Sequence, residues 1–211
     1  MHGAGRTDAG VHALGQVATV RMASGHPLDS VARGVNASLP PDVRVIAVQE
    51  VPDGFHARFS ARAKTYRYQL RNAAAVSPFE RAYVWHVPEA LDIDRMRAAA
   101  QTLVGTHDFA AFRSSGTENK GTVRTVTRSE LATGEVGGWD ETSTGALVVY
   151  EISGDGFLRH MVRAIVGTLV EIGRGQRPEA SMAALLEGGS RREAGATAPP
   201  QGLFLVRVVY D

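Results

Sequence analysis

The chain has 211 residues, of which 44% are hydrophobic and 21% charged, and its formal net charge is +1. These proportions are typical of a folded globular protein and exclude a disordered, collagen-like or coiled-coil chain. The absence of cysteine excludes thiol catalysis and cysteine-ligated zinc. No apolar run reaches membrane-spanning length. The sequence begins without a basic segment followed by an apolar core, so we expect no secretory signal and a cytoplasmic protein.

The basic residues are strongly biased towards arginine. Only two lysines occur among the 23 basic residues, so 21 are arginines. The planar guanidinium pairs with phosphate and stacks on bases, which favours a nucleic-acid cleft. A GC-rich genome would produce the same bias, and a net charge near zero does not by itself indicate nucleic-acid binding.

The first motif is a loop in which Gly3, Gly5 and Gly10 surround Arg6 and Asp8. Glycines permit positive φ and a close approach of the backbone to a ligand. The dinucleotide fingerprint fails here because its third glycine falls at position 8, where a carboxylate would repel pyrophosphate, and no P-loop lysine follows. Two interpretations stay open: Asp8 is a nucleophile, or Arg6 and Asp8 form an ion pair that braces the loop.

Alternation, helical spacing and capping signals predict the rest of the chain as an α+β fold, with mixed or antiparallel sheets and helices packed on one face. A polar loop over 114–121 and a turn over 134–145 separate some of these elements. In chain order the elements are strand 16–22, helix 30–39, strand 43–51, strand 64–71, helix 91–104, strands 122–131 and 146–153, helix 158–172, short helix 178–186 and strand 203–209.

Strand 64–71 places Tyr66, Tyr68 and Leu70 on one face. Tyrosines in this arrangement belong to a core more often than to a site, so both interpretations remain. The segment before the strand, 55–63, mixes basic and aromatic residues around Arg58. This composition fits an RNA-facing connection, although a solvated loop has a similar composition.

Helix 158–172 carries Arg163 beside the apolar positions Val162 and Ile165. An arginine at such a position either extends its charged end to water or meets a carboxylate. We expect Asp8 to be that carboxylate, and a surface-exposed Arg163 is the alternative.

Three stretches carry a resemblance to a known family. The run Gly-Arg-Thr-Asp-Ala-Gly-Val-His-Ala at 5–13 resembles the signature of the TruA family of tRNA pseudouridine synthases. The segments 55–61 and 64–68 together, and the run Gly-Phe-Leu-Arg-His-Met-Val-Arg-Ala-Ile-Val-Gly at 156–167, resemble later motifs of the same family, in the same order. The resemblance implies the pseudouridine synthase fold with a central RNA-binding cleft, here divided into an N-terminal subdomain 1–88 and a C-terminal subdomain 89–211.

The resemblance also implies an activity: isomerisation of uridine to pseudouridine in the tRNA anticodon stem-loop, at tRNA positions 38 to 40, by a homodimer on which one RNA spans both subunits. No cofactor and no metal is implied. By residue, Asp8 matches the catalytic aspartate, and Arg163 is expected to keep it ionised. Tyr66 matches the tyrosine that packs against the target uridine, Arg6 the arginine that enters the space vacated by the flipped base, and Arg58 a substrate-binding residue.

One departure from the family pattern produces a further expectation. The signature is normally preceded by a strand and a helix, so we expect the 211-residue chain to be less stable or less active than one extended upstream. Two alternatives of other classes remain: a noncatalytic RNA-binding or RNA-folding relative, and a nucleotide-dependent oxidoreductase that would rest only on Gly3 and Gly5.

Overall fold

The structure is a computed structural model that describes residues 1–114, 121–134 and 145–210. Within these ranges the main sheet has seven strands in the order β2-β9-β4-β8-β7-β6, with β5 paired to the end of β4, and a separate ladder joins β1 to β3. The strands are β1 (His2–Gly3), β2 (His12–Ala13), β3 (Ala18–Thr19), β4 (Ala63–Asn72), β5 (Trp85–Val87), β6 (Gly105–Asp108), β7 (Val123–Gly134), β8 (Ala146–Gly154) and β9 (Leu203–Val209). The helices are α1 (Leu28–Ser38), α2 (Ile93–Gln101), α3 (Met161–Gly173) and α4 (Ser181–Leu186), with short 3₁₀ turns at Ala110–Phe112 and Pro200–Gly202.

This architecture confirms the predicted α+β class with a mixed sheet. The pairs β4–β8, β7–β8, β6–β7 and β4–β9 are antiparallel, whereas β2–β9 and β4–β5 are parallel. Alternation along β4 and β8 turns Tyr68 and Tyr150 to the same face, where they pack with Met96 of α2, Ile165 of α3 and Met182 of α4 in one buried cluster. Helices α2, α3 and α4 therefore cover one face of the sheet.

Helix α3 is the most deeply packed element, with 11 of its 13 residues buried. The chain at 194–198 crosses it so closely that a Cβ on Gly167 would lie 1.7 Å from the carbonyl oxygen of Ala196. The backbone N–H of Gly195 donates to Oγ1 of Thr168 at 2.9 Å, and the N–H of Ala198 donates to the carbonyl of Arg163 at 3.0 Å. The crossing segment is therefore fixed on the backbone of α3.

Two strands predicted in the N-terminal part do not form as expected. The segment 43–51 has no regular secondary structure and no ladder partner among the described residues, and Ile46 is 88% exposed. The amide of Asn36 hydrogen-bonds both the N–H and the C=O of Val45, at 2.8 and 2.9 Å, in place of a neighbouring strand. The predicted strand 16–22 is reduced to Ala18–Thr19. Both predictions were wrong because alternation identifies an extended segment but does not supply its partner.

Other predicted elements form with changed ends. Helix 158–172 begins at Met161 because His160 has left-handed backbone angles, φ 61° and ψ 6°. Asp92 caps α2 by accepting the N–H of Arg95 at 3.0 Å. Residues 115–120 of the predicted loop and 135–144 of the predicted turn lie outside the described residues. The sheet takes strands from both 1–88 and 89–211, and the division at residue 88 stays a prediction. In the described part of the chain no helix combines the length and apolarity needed to cross a membrane.

Substituting glycine by alanine tests the packing of α3. Gly167→Ala is expected to lower the free energy of unfolding by about 1 to 3 kcal/mol, because the added methyl overlaps a backbone carbonyl. In Gly34→Ala on α1, nothing lies within 4 Å of the added methyl. This substitution is expected to raise the free energy of unfolding by about 0.5 to 1 kcal/mol, because alanine has the higher helix propensity. Denaturant unfolding of both variants measures the difference. Equal effects at the two positions would contradict the close crossing at Gly167.

Candidate active site

The loop that carries Asp8 is tied to the sheet on both sides of Ala4, which is buried. The N–H of Ala4 donates to the carbonyl of Val17 at 2.8 Å, and its carbonyl accepts from Nζ of Lys64 on β4 at 2.7 Å. Burial lowers the pKa of Lys64, and the neighbouring charge of Arg58 lowers it further. A half-buried lysine thus anchors the start of the loop to the central strand.

Asp8 itself begins a tight turn. The N–H of Val11 donates to the carbonyl of Asp8 at 3.0 Å, and Gly10, the third residue of the turn, has φ +80°. This is the position at which a type II turn requires glycine. A Cβ on Gly10 would also lie 3.1 Å from Cγ of Pro200. The turn therefore projects Asp8 from a backbone that leaves little freedom.

The carboxylate of Asp8 is held through one of its two oxygens. Oδ2 lies 3.1 Å from Nη1 of Arg163 and 3.0 Å from Nε2 of His160. Oδ1 has no hydrogen-bond partner within the described ranges, and the side chain is 37% exposed. The arrangement presents one restrained oxygen and one oxygen that is open to a ligand.

Arg163 reaches Asp8 from α3 and is itself held in place. Its side chain is 13% exposed, and Nε donates to the carbonyl of Ala198 at 2.7 Å while Nη1 contacts Asp8. A guanidinium makes both contacts at once because its donors form a rigid planar fork. The structure thus places Arg163 beside Asp8 and not at the surface.

The two tyrosines of β4 have different environments. Tyr68 is fully buried, and its hydroxyl donates to the carbonyl of Pro199 at 2.7 Å, so it belongs to the core. Tyr66 is half-buried and meets the ring of Phe157 edge-on, with centroids 5.0 Å apart. Burial raises the pKa of Tyr66, and the negative charge of Asp8 raises it further. Tyr66 therefore lies within the electrostatic influence of Asp8.

The remaining predicted site residues do not touch Asp8. Arg6 is exposed and makes no hydrogen bond or ion pair with the rest of the described chain, so the bracing Arg6–Asp8 ion pair does not form. Arg58 is also exposed, and its guanidinium lies 5.5 Å from the ring centroid of Phe59.

Comparison with known proteins identifies the family. A family model described as tRNA pseudouridine synthase matches residues 99–211. The chain is 45% identical over 210 residues to tRNA pseudouridine synthase A of Geotalea uraniireducens, covering 100% of this chain and 82% of that protein. It is 46% identical to the protein of the same name from Syntrophotalea carbinolica, covering 98% and 78%, and 45% identical to that from Acetivibrio thermocellus, covering 99% and 81%.

This chain belongs to the tRNA pseudouridine synthase family. The resemblance inferred from the three sequence motifs is thereby confirmed, and the chain falls within a family of isomerases. Among its described residues, no group of three or more His, Asp or Glu side chains is close enough to hold a metal ion.

A cavity of about 430 Å³, lined by Arg81, Ala82, Val84, His86 and Gln201, lies apart from Asp8.

Sequence reasoning did not include His160 among the candidate site residues. The predicted helix 158–172 placed His160 with Arg159 and Arg163 on its narrower side, but only Arg163 was paired with Asp8. The left-handed conformation of His160 at the start of α3 was not predicted.

The titration of Tyr66 tests whether it faces Asp8. In Asp8→Asn the pKa of Tyr66 is expected to fall, because the negative charge that disfavours the phenolate is removed. The pKa should stay above 10, because burial remains. NMR of ¹³Cζ-labelled tyrosine, assigned with Tyr66→Phe, measures it. Tyr210, whose pKa is raised by burial alone, is the control and should not respond. An unchanged Tyr66 would contradict the facing geometry.

Proposed function

We propose that this chain isomerises uridine to pseudouridine in the anticodon stem-loop of tRNA, at tRNA positions 38 to 40, with Asp8 as the nucleophile. The observation that carries the proposal is the state of the Asp8 carboxylate, which has one oxygen bound to Arg163 and His160 and the other open beside Tyr66. The names of the relatives supply the reaction class and the RNA class.

The reaction suits the groups present. It exchanges the bond from ribose C1′ to N1 for a bond from C1′ to C5, with a proton lost from C5 and one gained at N1, so it consumes no oxidant, reductant or nucleotide. A positioned carboxylate can attack ribose C1′, where it displaces the base and is itself displaced when C5 attacks C1′, or it can add to the pyrimidine ring and be eliminated after the C1′–C5 bond has formed. Oδ1 of Asp8 is the oxygen available for that bond, and Arg163 orients the carboxylate.

The target uridine must first leave its stack, at a cost of a few kcal/mol. Stacking on an aromatic ring contributes about 1 to 3 kcal/mol per base, which offsets much of that cost without selecting a sequence. Tyr66 supplies a half-buried ring at the site. Arg6, which is exposed and without a protein partner within the described ranges, enters the space that the flipped base leaves.

An exposed aromatic and basic cluster supports RNA binding next to the loop. The rings of His2 and His56 lie 4.6 Å apart, those of His56 and Phe59 lie 4.4 Å apart, and Arg58 lies over Phe59. Phe59 is 77% exposed. Exposed aromatic rings beside a guanidinium are typical of surfaces that bind unpaired nucleotides, and Arg58 contacts the substrate there. We further infer a cytoplasmic homodimer with one RNA across both subunits.

Asp8→Asn tests the nucleophile. The amide keeps the shape of the side chain but forms no ester with the substrate, so release of tritium from uracil C5 in tRNA should fall below detection while tRNA binding persists. Asp94→Asn on α2, where the carboxylate is 92% exposed, is the matched control and should retain full activity. Tritium release and filter binding measure the two properties. A parent chain that binds tRNA without release would instead identify a noncatalytic RNA-binding relative.

Arg163→Lys tests the guanidinium fork. A lysine cannot contact Ala198 and Asp8 simultaneously, so the single-turnover rate is expected to fall about 10- to 100-fold through misplacement of the carboxylate. Arg159→Lys, an exposed position on the adjacent turn, should change the rate less than about threefold, since its side chain is outside the site. Rates that match in the two variants would contradict the role of Arg163.

A further inference from the structure

We propose that His160 is a positioning residue for Asp8, which it orients through a hydrogen-bond chain from Ser114 through the imidazole to the carboxylate. The inference rests on the proposed function, in which Asp8 is the nucleophile. His160 directly precedes Met161, the first residue of α3, and its backbone is left-handed.

The chain of contacts is continuous. Oγ of Ser114 lies 2.5 Å from Nδ1 of His160, and Nε2 of His160 lies 3.0 Å from Oδ2 of Asp8. The ionised carboxylate only accepts hydrogen bonds, so Nε2 carries the hydrogen. In the neutral ring Nδ1 then accepts from the Ser114 hydroxyl, which can rotate to accept instead if the ring gains a proton. The imidazole is 21% exposed, so these partners define its orientation.

The backbone also singles out His160. Among the described residues it is the one non-glycine residue with positive φ. A Cβ makes this conformation unfavourable, and glycine and asparagine adopt it at lower cost than histidine. The N–H of Ser114 donates to the carbonyl of Arg159 at 3.2 Å, which ties the turn to the segment that carries the hydroxyl. Backbone strain held at a residue that contacts the nucleophile points to a functional constraint.

Two donors on one oxygen restrict the carboxylate more than one donor does. A single bond from Arg163 would leave Asp8 free to rotate about its Cβ–Cγ bond. The second bond, from His160, fixes that rotation because the two donors reach Oδ2 from different side chains. The orientation of Oδ1, and with it the direction of attack, is then defined before the substrate binds.

Three substitutions separate this role from a backbone role. In His160→Gln, Nε2 of the amide occupies nearly the place of the imidazole Nε2 and can still donate to Asp8. In His160→Asn and His160→Gly that donor is lost, but the left-handed backbone is more favourable. The proposal therefore predicts that kcat is highest in the parent, lower in His160→Gln, and lowest in His160→Asn and His160→Gly. A purely structural role predicts that kcat in His160→Asn and His160→Gly is at least as high as in His160→Gln.

We expect kcat to fall about tenfold in His160→Asn and His160→Gly and by less than about threefold in His160→Gln. KM for tRNA should stay within about twofold of the parent value in these variants. The Tm of His160→Asn and His160→Gly should be no lower than that of the parent. Full activity in His160→Asn or His160→Gly, or a rise in KM without loss of kcat in these variants, would overturn the inference. Asp8→Asn, assayed in parallel, separates the two proposals. If it is inactive while His160→Asn is fully active, only the inference about His160 fails. If Asp8→Asn is active, the proposed function itself fails.

Discussion

The contact between Asp8 and Arg163 joins parts of the chain that are 155 positions apart, and the site depends on it. Asp8 lies on a glycine turn near the start of the chain, and Arg163 lies on α3, beside the segment that precedes β9. A largely buried guanidinium without a carboxylate would be unfavourable. The carbonyl of Ala198 and the carboxylate of Asp8 together satisfy it, so packing of the C-terminal half specifies where the N-terminal loop must place its acid.

The two members of this pair are held with different rigidity. Arg163 belongs to a helix that is buried almost all round and crossed at van der Waals contact near Gly167. Asp8 is on a loop and is 37% exposed. The cation is therefore fixed by the core, and the anion is positioned by the cation and by His160. This division leaves Oδ1 accessible while the carboxylate keeps one orientation, which is the preorganisation that covalent catalysis requires.

The sequence correctly predicted the strands for which more than one signal agrees. Strands β4, β8 and β9 combine alternation with β-branched or aromatic residues, and each found partners within one sheet. The approach of Arg163 to Asp8 could be anticipated because an arginine within an apolar stripe needs a carboxylate. The segment 43–51 has the same alternation as a strand but pairs with no strand in the described part of the chain, and pairing is not encoded locally. Helical periodicity placed His160 on the same side as Arg163 but could not predict its left-handed conformation or its contact with Asp8, which comes from a distant part of the chain.

The position of Asp8 also bears on how an almost neutral chain would bind RNA. A carboxylate in an RNA cleft repels phosphate, which is a cost that a module devoted only to binding has no reason to carry. Arg163 offsets that charge locally, through its contact with Asp8. With a formal net charge of +1, affinity would have to come from local surfaces, such as the adjacent rings of His56 and Phe59 with Arg58 over Phe59. Under the proposed function, Asp8 and the surface around Arg58 and Phe59 would have separate tasks, with the reaction at the acidic side chain and RNA contact at the basic and aromatic ones.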